Sequence, residues 1–400
     1  MRPPVDVVGH DGRLLPDAAL GMVRRAALVV GAPRHLAAVK GLGTGRRVEV
    51  GATATAWADA VGQLVAAVAA GQSCAVLASG DPGFFGVVRS LRAAGLDVRS
   101  WPGSSSVAEA FARLGRAWED ATVVSAHGRP AAAALAAARV LPKVAVLTGP
   151  AAPAELFVDA LTAAGRDVWV AERLGEHDER LRHGEECRPP FAEPNVVLAL
   201  DPRPDELCWR SGYDPVPDGW ALPDDAFEHR DSMVTKSEVR ALALARIAPR
   251  VGQTIWDVGA GSGSMAIECA RFGADVLALD ADPDQCERLQ RNASVHHVRV
   301  EVVNGRAPAA LAGMRAADAV FVGGGGSDVV EHVAALPTPR RVVVTLAALE
   351  RVPVAVQALQ RNGFDVDGVQ LQASRMTALP DGSHRLAATN PVMLVSGVRR

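Results

Sequence analysis

From Val5 to about Leu200 short apolar runs alternate with Ala-rich stretches: VDVVG, ALVVG, CAVLASG, LDVRSW, ATVVSAHG, KVAVLTG, DVWVAE and NVVLAL. Such runs, Val-rich and bounded by Gly or Ser, read as buried strands, and the segments between them as crossover helices. A mostly parallel α/β sheet is the economical arrangement. Ala60 to Gly80 shows both periods in 21 uncharged residues. Val61, Leu64, Val65 and Val68 keep the i, i+3, i+4, i+7 spacing of an amphipathic helix before CAVLAS becomes strand-like. Gly62, Gln63, Gly71 and Gln72 interrupt the stretch where a membrane span would be continuous.

Between Asp201 and Asp225 the pattern stops. DPRPDELCWRSGYDPVPDGWALPDD is dense in Pro, Asp and Gly and has no apolar stripe. This places a linker at 204–221 between a first domain, 1–203, and a second, 222–400. After the linker a helix over Thr235–Ile247 leads into TIWDVGAG, ADVLALD, VRVEVV, ADAVFVGG, RRVVVTL, FDVDGVQLQ and PVMLVSGV. These are seven strands, the last following the sixth with no helix between, so a mostly parallel sheet ending in an antiparallel pair is expected. The two halves are different α/β modules rather than copies of one repeat.

Composition narrows the function. The 400 residues suffice for two or three domains, and 49% hydrophobic with 22% charged residues is ordinary for globular chains. A formal charge of -3 supplies no basic stripe for nucleic acid or an anionic membrane, so neither is an expected partner and a small-molecule substrate is favoured. Only Lys40, Lys143 and Lys236 are lysines. Arginine is the better bidentate partner for carboxylates, although GC-rich codon usage is the better account of the bias. The five cysteines are scattered without a CxxC pair, which fits a reducing cytoplasm and neither a disulfide framework nor a structural zinc. His177, His183, Cys187 and Cys208 match no zinc spacing, and no metal is expected. Two prolines and Asp6 stand where a signal peptide would have a basic segment and an apolar run, and His296-His297 reads as a solvated loop.

The chemistry of the second half centres on Asp257-Val258-Gly259-Ala260-Gly261-Ser262-Gly263, between a strand and a helix over Met265–Arg271. Glycines there permit a tight turn and bring backbone N–H groups to a ligand at the helix start. Asp280 ends the next strand 21 residues after Gly259, where a carboxylate can accept from both hydroxyls of a ribose. A packing turn is the plainer alternative. The DxGxGxG spacing resembles the S-adenosylmethionine-dependent methyltransferases with a seven-stranded Rossmann-like (class I) fold. That resemblance places Asn304-Gly305-Arg306 around the adenine and Gly323–Gly326 at the methyl-transfer face, where four glycines either admit a planar substrate or form a turn. Upstream, Thr235 and Glu238 have capping-box spacing. LPDDAFEHRDSMVTKSEVRAL with WDVGAGSGSMAIECA is similar, over Leu222 to about Val398, to the small corrin-pathway methyltransferases that methylate C15 and decarboxylate the C12 acetate. Thr235, Lys236 and Glu238 thereby become candidate catalytic residues, with capping an equal account of Thr235 and Glu238.

In the first half, SGDPGFFG, WPGSSS and SAHGRP each follow a strand, so one sheet edge gathers Gly/Pro/Ser loops. With VVGHDG and VVGAPRHL they resemble the tetrapyrrole methylase (class III methyltransferase) fold family and its C5 precorrin methylase branch. This implies donor contacts from Gly80, Asp81, Pro82, Phe85, Ser104 and Ser105. The first loop departs from the family: VGHDG is shortened and carries His10, which either lines a cleft or faces solvent. His127 is an acid/base candidate or a strand-end histidine held by backbone.

Both modules on one chain resemble the fused precorrin-6Y C5,15-methyltransferases (decarboxylating) of cobalamin biosynthesis. The resemblance implies a cytoplasmic homo-oligomeric enzyme that uses two S-adenosylmethionines per chain, one per half, and gives precorrin-8X and CO2. The alternatives are a methyltransferase for another tetrapyrrole, such as a cobalt-containing precorrin, or for a non-corrin small molecule, and a non-enzymatic nucleotide-binding scaffold.

Overall fold

The computed structural model describes residues 2–51, 53–202, 211–213, 217–230 and 234–399. Much of the expected linker (204–210 and 214–216), with residue 203 and Met233, lies outside these described residues, and Cys208 falls within that stretch. Contacts divide the chain into a first unit, Met1–Arg129 with Lys143–Gly212, and a second, Pro130–Pro142 with Tyr213–Arg400.

The first unit opens with β1 (Val5–His10), α1 (Asp17–Arg25), β2 (Leu28–Gly31), α2 (Pro33–Ala38), β3 (Arg46–Glu49), α3 (Ala54–Ala69), β4 (Cys74–Ser79), α4 (Val88–Ala93) and β5 (Val98–Trp101). The strands form an all-parallel sheet in the order β3-β2-β4-β1-β5. Side chains alternate across it as the two-residue period requires. Val5, Val7, Leu28, Val30 and Val76 pack against α3 and α4, whereas Val8, Val29 and Leu77 pack against α1 and α2. Then follow α5 (Ser106–Leu114), β6 (Thr122–Ser125), α6 (Ala132–Val140, grouped with the second unit), β7 (Lys143–Leu147), α7 (Ala154–Ala163), β8 (Asp167–Glu172), β9 (Arg180–His183) and β10 (Asn195–Leu200). Here the parallel expectation fails. In the order β6-β7-β10-β8-β9 only β6 and β7 are parallel, because the chain runs from β8 through β9 into β10 without a crossover helix.

The second unit continues with α8 (Ser237–Ile247), β11 (Thr254–Val258), α9 (Ser264–Arg271), β12 (Asp275–Asp280), α10 (Pro283–Val295), β13 (Val300–Asn304), β14 (Ala319–Val322), α11 (Ser327–Ala335), β15 (Arg341–Leu346), α12 (Val352–Arg361), β16 (Phe364–Leu371), β17 (Ser374–Ala378), β18 (His384–Ala388) and β19 (Val392–Arg399). Its seven-stranded sheet has the order β13-β12-β11-β14-β15-β19-β16, with β19 antiparallel to both neighbours, as the apolar runs indicate. Order reverses between β11 and β14, so their carboxyl ends flank the crevice where open α/β sheets bind ligands. One face packs on α8 and α9, the other on α11 and α12. The β17–β18 hairpin, inserted before β19, is absent from the sequence reading.

Candidate functional site

In the second unit β11 delivers the chain into a loop whose Gly259, Gly261 and Gly263 all have left-handed φ (+72°, +54° and +78°). Beyond this conformation, the three glycines differ in their surroundings. A Cβ on Gly259 would lie 2.7 Å from the Gly324 backbone, and one on Gly263 would lie 2.3 Å from Leu289, so these two are required by packing. A Cβ on Gly261 would meet nothing within 4 Å, which leaves open space for a ligand beside that backbone. Asp280 holds the loop: one carboxylate oxygen accepts from the Gly261 amide (2.8 Å) and the other from Asp282 (2.9 Å). The Asp280 carbonyl accepts from the Gly305 amide (2.9 Å) and the Asn304 side chain (3.2 Å), which joins the third strand-end loop to the same corner.

Asp257 is fully buried, with one oxygen accepting from the Ala266 amide (2.9 Å) and the other without a partner. Burial pushes its carboxyl up to about 7, against the opposing pull of the Ala266 N–H and with a further push from the Asp280 charge. The glycine run after β14 has internal reasons to be glycine: a Cβ on Gly323, Gly325 or Gly326 would strike Phe321, Val329 or Asp328, and Gly324 faces Gly259.

The segment leading to α8 wraps this loop. The Leu222 amide donates to Glu268 (2.7 Å), and Asn292 bridges the Glu228 backbone to the Ser262 carbonyl. His296, expected to be merely solvated, lies against the Phe227 ring with its Nε2 2.9 Å from the Ala226 carbonyl oxygen. The capping box does not form. Lys236 takes the cap position without a side-chain cap, and the Ser237 amide donates instead to Asp224 (3.0 Å). Glu238 turns to Arg375 of β17 (2.6 and 2.9 Å), which also binds Asp224 (2.8 Å). The Arg375 bond holds the Glu238 carboxyl below its ordinary range, and for Asp224 the arginines and Lys236 outweigh an opposing effect of burial. Lys236 lies 3.5 Å from Asp224. The wholly buried Arg240 donates to the Thr235 and Leu222 carbonyls and stacks over Phe227 (4.8 Å). Lys236 and Glu238 thus meet around Asp224 and Arg375, and Thr235 joins them through its carbonyl on Arg240. Arg375 escaped the sequence reading because its partners lie over 130 residues away along the chain.

In the first unit the loops after β1, β4 and β5 close on one another. A Cβ on Gly9 would come 2.0 Å from the Gly80 oxygen and 2.3 Å from the Gly103 nitrogen. The Gly80 amide donates to His10 O (2.8 Å), and Gly103 to Gly80 O (3.1 Å). Asp81 accepts from the Gly83 amide (2.8 Å) and Ser105 caps α5, while Asp11 accepts from the Ser104 amide (3.3 Å). Beyond Pro82 the chain exposes Phe84 and Phe85. Phe85 has a left-handed φ of +53°, and Arg129 lies over its ring (5.7 Å). The shortened first loop is anchored by Arg13, which pairs with Glu109 (2.7 and 3.0 Å). His127 places Nδ1 3.2 Å from the Thr148 carbonyl oxygen.

His183 pairs with Asp167 (2.6 Å), the Cys187 thiol donates to the Arg182 carbonyl (3.3 Å), and His177 lies beside Asp178. Among the described residues no group of three or more His, Cys, Asp or Glu could hold a metal, and no helix is long and apolar enough to cross a membrane.

Residues 9–186 match the tetrapyrrole (corrin/porphyrin) methylases, and residues 225–396 match the precorrin methyltransferase domain. A Sinorhizobium precorrin-6Y C(5,15)-methyltransferase [decarboxylating] is 38% identical over 337 residues, 80% of this chain and 78% of that protein. The chain belongs to the precorrin-6Y C(5,15)-methyltransferase (decarboxylating) family. The fused architecture of this family accounts for two unlike α/β units on one chain. A protein from Pyrobaculum calidifontis named as a probable cobalt-precorrin-6B C(15)-methyltransferase (decarboxylating) is 35% identical over 185 residues, 44% of this chain and 94% of its own. The crystal structure of the C-terminal domain of a Rhodobacter capsulatus precorrin-6Y C5,15-methyltransferase aligns with 46% of the chain and all of that domain, at 32% identity and a TM-score of 0.42.

Proposed function

We propose that the chain converts precorrin-6Y to precorrin-8X, placing methyl groups on C5 and C15 and releasing the C12 acetate carboxyl as CO2, with C5 methylation in the first unit and C15 methylation and decarboxylation in the second. The observation that carries the division of labour is the presence of two unlike glycine-lined strand edges on a chain of this family. S-adenosylmethionine supplies an electrophilic sulfonium methyl. In the second unit the open Gly261 backbone, the Gly259 and Gly263 turns, Asp257, the Asp280 carboxylate and the Asn304–Gly305 corner fit an amino-acid-bearing nucleoside. In the first unit the corresponding set is Gly80, Asp81, Pro82, Phe85, Ser104 and Ser105.

Each methyl replaces a ring hydrogen, so a proton leaves the macrocycle. Loss of CO2 returns an electron pair that takes one up. The residues therefore need to orient reactants and move protons, and no covalent nucleophile is required. Lys236 is the candidate proton donor, because the Glu238 carboxylate is bound by Arg375 while, among the described residues, the Lys236 ammonium has only a 3.5 Å contact to Asp224. Thr235, through its carbonyl on Arg240, and Glu238, through Arg375, then hold the segment that carries it. His127 is the corresponding candidate in the first unit.

The test is mass analysis of precorrin-6Y incubated with the full chain and labelled donor. Two labelled methyls gained and one CO2 lost are expected, and an unmethylated macrocycle would overturn the proposal. A parallel incubation with the cobalt-containing precorrin decides which form is the substrate. Calorimetric titration with S-adenosylhomocysteine should give two equivalents per chain.

A further inference from the structure

The first unit holds an arginine that its surroundings orient but do not neutralise. Arg34, on the first turn of α2, donates Nε–H to His35 Nε2 (3.2 Å) and an Nη2 hydrogen to Ser79 Oγ at the end of β4 (2.7 Å). No carboxylate pairs with it among the described residues, whereas Arg13, Arg99, Arg113, Arg173 and Arg182 of the same unit each face one. A guanidinium offers two bidentate edges. Here the Nε/Nη2 edge is spent on neutral partners, and the Nη1/Nη2 edge has no partner among the described residues.

His35 makes this arrangement possible. An arginine N–H can only donate, so His35 Nε2 must carry a lone pair and Nδ1 the hydrogen. Nδ1 closes no hydrogen bond of good geometry, the Leu77 backbone being the polar group that acts on it. The ring is 5% exposed, and burial, with the Arg34 charge second, lowers its pKa to about 4. Protonation would turn this acceptor into a cation against Arg34. The His10 ring, 5.8 Å away at the end of β1, has its pKa lowered in the same sense, chiefly by burial; Asp11 and Glu176 oppose the shift and Arg34 adds to it.

We propose that Arg34 is the carboxylate anchor of the first unit, with His35 as its positioning residue. The anchor rests on the proposed function for its ligand class: a precorrin carries acetate and propionate side chains, and the methyl donor carries an amino-acid carboxylate. Either is held end-on by the Nη1 and Nη2 hydrogens at the carboxyl edge of β2 and β4.

The experiment uses the full chain carrying Asp280→Ala, which weakens the second-unit donor site about tenfold to a hundredfold, so that the tighter of the two binding steps reports the first unit. If the anchored group belongs to the donor, Arg34→Gln weakens S-adenosylhomocysteine by about tenfold to a hundredfold and leaves methylthioadenosine, which lacks the carboxylate, unchanged. If it belongs to the macrocycle, both nucleosides bind as before and KM for precorrin-6Y in C5 methylation rises by a similar factor with kcat little altered. Arg34→Gln with unchanged affinity for S-adenosylhomocysteine and unchanged KM overturns the anchor, and leaves the proposed function standing. Failure of the unsubstituted chain to methylate precorrin-6Y removes that function instead. His35→Leu should reproduce the Arg34→Gln loss, and His35→Gln, whose amide oxygen can accept from Nε, should restore most of it. Equal behaviour of the two His35 variants would deny His35 its positioning role.

Discussion

Two buried ionisable side chains pull stability in opposite directions as pH changes. Asp257 has a folded pKa of about 7 against an ordinary 3.8, so between those values the fold retains a proton that the unfolded chain has lost, and stability falls as pH rises through the window. Asp257→Asn should remove that decline, on the order of 4 kcal/mol in all. The check is the wild-type-minus-variant difference in calorimetric Tm across pH 4 to 7, and a flat difference would contradict it. His35 works the other way. Its folded pKa of about 4 lies below an ordinary 6.5, so the unfolded chain takes up a proton first and stability is lost as pH falls from about 6.5 to about 4. His35→Gln should flatten that acid-side loss, leaving the smaller part due to His10. Asp280 belongs at this scale too. Its carboxylate restrains the Gly261 amide and is the proposed ribose acceptor, and a hydrogen bond to an ionised group contributes roughly 1.5–3 kcal/mol. Asp280→Ala should weaken donor binding in the second unit about tenfold to a hundredfold, read by titration with S-adenosylhomocysteine. The glycines and Asp280 were legible in the sequence because tight turns and strand ends leave local signatures. Asp224 and Arg375 were not, since only the folded chain brings their partners together.

Among elements, α8 is unusual in receiving its cap from outside. Asp224 binds the Ser237 amide, faces Arg375 and Lys236, and lies 3.5 Å from the fully buried Arg240. Removing one partner of a buried ion pair costs up to about 3–5 kcal/mol, and without Asp224 the Arg240 charge keeps Glu268 at 3.9 Å. Asp224→Ala should therefore lower stability far more than Glu238→Ala, whose carboxylate is substantially exposed and whose loss is expected to stay within about 1 kcal/mol; comparable denaturation midpoints would refute the ranking. Lys236→Ala should reduce turnover more than stability. Elements with apolar runs were readable in advance: the eight runs of the first half appear as β1, β2, β4, β5, β6, β7, β8 and β10. Those missed are polar. β3 (RRVE) and β9 (RLRH) are charged edge strands, and β17–β18 leaves Met376 and Leu386 exposed, so none has an inward apolar stripe to reveal it. The antiparallel sense of β8 to β10 was likewise hidden, because a strand run carries no direction.

For the molecule as a whole, the division into two units is not one cut. Pro130–Pro142 groups with the second unit, where Arg139 of α6 lies 3.5 Å from Asp275, itself bound by Arg315 (2.6 Å). A fragment beginning at Tyr213 lacks α6. It should still fold around its complete seven-stranded sheet, but melt several degrees below the second-unit transition of the full chain. Equal melting would show that α6 contributes nothing. Each unit also solves the ligand-edge problem in the same way, by setting strand-end backbones directly against one another at Gly9, Gly80 and Gly103 and at Gly259 and Gly324. Such a contact has no side chain to yield, so neither loop can swing out while the other stays. In the second unit the Gly259 amide is bound to Leu279 O, and the Gly323 and Gly324 amides to Val258 O. Opening the crevice breaks these together, and their hydrogen-exchange rates should rise and fall in step, as one latch rather than three hinges.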